Sequence, residues 1–163
     1  MKAGVQVREY SADSGELSIF QERDPSSPEL CEEIDRLLER ATIRNPYFAP
    51  EWLNSWLGRQ PSGTRPLLLL ARTGQGELEG LWPFVERPGL LGSKGLWPFV
   101  YDEANYFHPV ATDEGARSLV RGLKSQLGQF LFCWIPLMSD AFWEEFLEPE
   151  TKGSKFLTLT RMP

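Results

Sequence analysis

The sequence predicts an α/β (α+β) fold with a mixed, largely antiparallel sheet flanked by helices. Three observations carry this. Pro66–Val85 reads PLLLLARTGQGELEGLWPFV: an apolar run, a Gly-rich turn and a second apolar run, the pattern of a β-hairpin. Two later and earlier stretches, 30–41 and 116–127, place apolar side chains at a 3.6-residue period, the pattern of amphipathic helices. Val5–Tyr10, VQVREY, alternates apolar and polar, as a half-buried strand does. The helical stripes must cover something, and the hairpin is the piece that offers two apolar faces.

At 163 residues the chain is expected to form one domain, residues 1–163, with residues 1–25 as an N-terminal strand arm. Its 41% hydrophobic and 25% charged content suits a soluble core-forming protein. A net charge of −6 argues against nucleic acid as a partner, because phosphate recognition needs a basic patch. No apolar run approaches the roughly 18–20 residues needed to span a bilayer, so no membrane span is expected. Met1–Tyr10 has no apolar stretch of the secretory kind. Cys31 and Cys133 lie in apolar patterns without partner ligands and read as buried free thiols in a reducing cytoplasm. No metal-ligand set is visible. Six Trp and ten Phe point to a thick aromatic core, since large rings dominate core burial.

The elements follow in order. Glu16–Phe20 is a second strand candidate. Ser27 caps and Pro28 opens a helix, 28–41. Leu30, Ile34, Leu37, Leu38 and Ala41 form its inner stripe, and Glu32, Glu33, Arg36 and Arg40 its wet side. Asn45-Pro46 breaks that helix, because a residue before proline avoids helical angles. Tyr47 and Phe48 read as a plug in the break. Pro50 starts a short helix, Glu51–Leu57, which Gly58 ends. After the hairpin, GLWPFV at Gly80–Val85 recurs at Gly95–Val100. The two copies read as strands burying the same kind of face, and Pro83 and Pro98 as strand ends, bulges or edges. Tyr101–Ala111 is a polar and aromatic loop. Thr112 or Asp113 caps a third helix, 114–127, striped by Ala116, Leu119, Val120 and Leu123. Phe130–Met138 reads as a strand buried on both faces, Ala141–Leu147 as a short helix behind a Ser139 or Asp140 cap, and Phe156–Thr160 as a last strand.

This order has local wording to match. Asn45-Pro46-Tyr47-Phe48-Ala49-Pro50-Glu51-Trp52-Leu53 resembles the PF-x-x-P-x-W-L segment of the FemAB-like and CelD/BcsL-like acyltransferases. Leu67–Val85 resembles their LLLLAR…G-x-L-x-G-L-x-P-x-V hairpin. Asn105-Tyr106-Phe107-His108-Pro109-Val110 resembles their DY-x-D-P-L-V loop. The resemblance covers roughly residues 28–138. It implies a GNAT-like domain equivalent to the N-terminal, acceptor-side half of a tandem-GNAT enzyme. It also implies a second GNAT-like half in cis or trans, acyl-CoA as the cofactor of the full-length family, and a sugar, amine or cell-envelope precursor as acceptor. Two other readings remain open: a complete small acetyltransferase, and a non-catalytic carbohydrate- or protein-binding module on the same fold.

The sequence assigns no catalytic group. His108, the one histidine, is the candidate base; it stands where the family wording has an acid. Asp102 and Tyr106 are candidates for an acceptor-binding lip, with a solvated loop as the alternative. Trp82 and Trp97, at matching places in the repeat, are either core or a sugar-stacking platform. A GNAT donor site uses Arg/Gln-x-x-Gly-x-Gly/Ala between a strand and a helix, so that backbone N–H groups meet the pyrophosphate at the helix start. No good match exists. Thr73-Gly74-Gln75-Gly76 joins two strands. Gly89–Lys94, GLLGSK, is looser and offers Gly89, Gly92 and Lys94, but no amphipathic helix follows it. Asp113 and Glu114 at the start of the third helix repel phosphate. No cofactor is therefore expected on this chain alone.

Overall fold

A computed structural model describes residues 17–22, 24–89, 92–99, 107–130, 132–133 and 138–151. The strand expectations for Val5–Tyr10 and Phe156–Thr160 lie outside the described residues. Strand β1 is Ser18–Glu22, followed by helix α1, Pro28–Arg40. A 3-10 turn, Pro46–Phe48, leads into α2, Pro50–Leu57. Strands β2, Arg65–Arg72, β3, Leu78–Pro88, and β4, Lys94–Pro98, come next. The short β5, Val110–Ala111, precedes α3, Asp113–Gln126, and β6 is Phe132–Cys133. The last helical stretch opens with α4, Asp140–Phe142, widens into a π turn, Trp143–Leu147, and closes on Glu148–Thr151.

The sheet order is β1-β2-β3-β4-β6, and β5 pairs with β3. All pairs are antiparallel except β4 with β6, which is parallel. The fold is thus mixed α+β, as the sequence predicts. The hairpin forms as expected: Leu67 faces Phe84 and Ala71 faces Gly80. Its turn closes with Gly76 N–H donating to the Thr73 carbonyl at 2.9 Å, and Gly76 takes a φ of 88°, which a glycine adopts without strain.

Both faces of the hairpin are buried, because helices lie on each side. Ile19, Leu67, Leu69, Gly80, Trp82 and Phe84 share one face by register. Helix α3 covers it: Gly122 lies against Ile19, and Gly80 against Leu119. Leu68, Leu70 and Arg72 look the other way. There α1 packs, tied at its edge by a bidentate pair from the Arg72 guanidinium to the Glu33 carboxylate. The predicted stripe of α1 holds, with Leu30, Ile34 and Leu37 all buried.

Local chemistry explains the helix ends. Ser27 accepts from the Leu30 N–H, Thr112 from Gly115 and Ser139 from Phe142, so the starts of α1, α3 and α4 each have a donor satisfied by a side chain. The C-terminal helix runs past the expected stop at Leu147. Pro149 has no N–H for the Glu145 carbonyl and its ring crowds that oxygen, and the π turn just before it gives the chain room. Arg121 to Glu150 at 2.9 Å and Lys124 Nζ to the Glu150 carbonyl at 2.6 Å hold its end on α3.

One expectation needs correction. Pro83 is not at a strand end; β3 runs straight through it. On one side of β3 the neighbour changes there, from β5 at Gly80 and Leu81 to β4 from Phe84 onward. The Pro83 carbonyl accepts from Phe99 on that same side. The proline lacks the N–H that would return to the Phe99 carbonyl, and that carbonyl accepts from Gln60 Nε2 at 2.9 Å instead, so the lost ladder bond leaves no orphan. Pro98 does end β4, as expected.

Candidate functional site

The loops around Asn45 and His108 meet in space. Asn45 is buried at 2% exposure, far from water for so polar a side chain. Its Oδ1 accepts from the Tyr47 N–H at 3.2 Å, capping the 3-10 turn. Its Nδ2 donates to the His108 carbonyl at 3.0 Å. Phe48 and Phe107, both fully buried, meet edge to face at 5.6 Å just beneath. Ile43 bridges Ala111 through two backbone hydrogen bonds. One amide thus locks the Pro46–Phe48 turn to the His108 loop. On the outer side, Tyr47 meets Trp52 edge to face at 5.7 Å, and Trp52 is 42% exposed.

His108 is half-buried on this loop. Its Nδ1 lies 3.2 Å from the Pro109 carbonyl, and its ring lies 6.1 Å from that of Phe142. A carbonyl can only accept, so a hydrogen bond at this contact has Nδ1 as its donor. Asp102 and Tyr106 fall outside the described residues.

The tryptophans of the repeat separate. Trp82 is wholly buried, its Nε1 donates to the Phe107 carbonyl at 2.9 Å, and Phe84, Phe107 and Phe142 surround it. A stacking platform needs an open ring face, so that role is withdrawn for Trp82; it is core. Trp97 is half-exposed and stands on the opposite face, because it pairs with Val85 while Phe84 pairs with Pro98. The Arg87 guanidinium lies over it at 5.0 Å. The repeat therefore does not bury one kind of face twice. Its copies run antiparallel in a register that sends equivalent residues to opposite sides.

Gly89, Gly92 and Lys94 belong to the β3–β4 connection. The Gly89 N–H donates to the Ser93 carbonyl at 2.8 Å, and Gly92 has a φ of 78°. This is a strand-to-strand turn whose first amide is already engaged. Lys94 pairs with the buried Glu86 carboxylate at 3.7 Å. The start of α3 is likewise occupied: Thr112 Oγ1 caps it and donates to Glu79, and Thr42 donates to Asp113 at 2.6 Å. Among the described residues no group of His, Cys, Asp and Glu could hold a metal ion, and no helix is long and apolar enough to cross a membrane.

Sequence reasoning missed Asn45 as the joint between loops. An Asn-Pro dipeptide before a short turn is a side-chain-capping signal and could have named it. Cys31 and Cys133 are free but only partly buried, short of the full burial expected. Burial nevertheless raises both thiols, Cys133 to about 12. The neutral thiol is favoured in the fold, so its stabilising effect is complete below the ordinary value of 9.0 and is lost as pH rises toward about 12. A thiol reagent at pH 8 should label native Cys133 far more slowly than the urea-unfolded chain; equal rates would contradict this environment.

Fold and loops together define a mixed α+β domain in which two loops, joined by Asn45 and the His108 carbonyl, interlock beside the central hairpin. No family model, curated protein or solved structure matches this chain.

Proposed function

We propose that this chain is the acceptor-side, GNAT-like half of an acyl-CoA-dependent N-acyltransferase of the FemAB-like and CelD/BcsL-like kind. Its acceptor is a sugar, an amine or a cell-envelope precursor. The observation that carries the reading is the Asn45 joint. Two segments chosen by their family wording, 63 positions apart, are bonded to each other in the fold. The element order supports it too: strand, two helices, Gly-turn hairpin, helix, then a strand parallel to β4.

In this reading an acceptor amine attacks the thioester carbonyl carbon of the acyl donor. The C–N bond forms, the C–S bond breaks, the CoA thiol leaves and the amine gives up a proton. His108 is the candidate among the described residues to take it. A second GNAT-like half holds the donor, since the Gly89–Ser93 turn joins strands and the start of α3 carries its own cap and carboxylates. The free thiols suit a cytoplasmic setting.

The test is a pair of melting experiments. At 1 mM acetyl-CoA, a Kd of about 10 μM would stabilise the native state by about 2.7 kcal/mol. No shift is expected with acetyl-CoA, and a shift is expected with a member of a panel of soluble sugars and amines. A shift with acetyl-CoA that Lys94→Ala removes would replace this reading with a complete small acetyltransferase. Silence across the acceptor panel would replace it with a protein-binding module.

A further inference from the structure

We draw no further inference here: the strongest candidate, the surface patch on α2 where Tyr47 holds the exposed Trp52 ring edge to face, rests on the one large apolar side chain exposed among the described residues, and nothing in the structure shows what covers it.

Discussion

Trp82→Ala is expected to destabilise the fold by about 3–5 kcal/mol from lost burial alone. The ring is fully buried between Phe84 at 5.2 Å, Phe142 at 5.8 Å and Phe107 at 6.3 Å, so three aromatic neighbours lose contacts at once. The Phe107 carbonyl also loses the Nε1 donor at 2.9 Å. An unpaired buried carbonyl adds about 1–3 kcal/mol. Natural domains hold only about 5–15 kcal/mol in total, so this variant should be close to unfolding at room temperature. Trp82→Phe separates the two effects, because it keeps a ring and removes the donor. A urea titration reads both variants. A loss below about 1 kcal/mol for Trp82→Ala would mean the aromatic core is not organised around this ring.

Gly115→Ala carries the sharper sign. In an exposed helix, alanine in place of glycine gains roughly 1 kcal/mol. Here a Cβ would stand 2.0 Å from the Glu79 carbonyl oxygen and 2.7 Å from its carbon. Both are backbone atoms of β3 and cannot swing aside. The first turn of α3 would have to lift. That would break the Thr112 N–H bond to the Glu79 carbonyl at 3.0 Å and the Thr112 bond to the Glu79 carboxylate at 2.8 Å. The expected loss is about 3 kcal/mol, the upper end for overpacking. Gly74→Ala is the control. It meets nothing within 4 Å, and its effect should stay within about 0.5 kcal/mol. Stabilisation by Gly115→Ala would refute the close docking of α3 on β3.

The two interlocked loops were only half legible from the chain. Their wording marked Asn45–Leu53 and the His108 segment as places to look. Nothing local could say that Asn45 bonds the His108 carbonyl, since that contact is made by folding and not by neighbouring residues. The Arg87–Trp97 contact was harder still. Arg87 stood out only as a basic spot beside Lys94, and register then placed the two on opposite faces.

What the sequence determined by itself is whatever short-range physics decides. A 3.6-residue stripe and a Ser-Pro start specify α1, and two apolar runs around Gly74 and Gly76 specify the hairpin with its pairing. Side-chain period and capping act over one or two turns, so these elements appear as expected. The tertiary structure alone decided the rest. The same six residues, GLWPFV, give a wholly buried Trp82 and a half-exposed Trp97, because antiparallel register sends matching positions to opposite faces. Pro83 sits inside a central strand because Gln60 supplies the Phe99 carbonyl with the donor that the proline lacks. Gly115 looks like an ordinary helical glycine until β3 arrives within van der Waals reach of its Cα. In each case the deciding atoms come from another strand or helix, and local sequence carries no record of them.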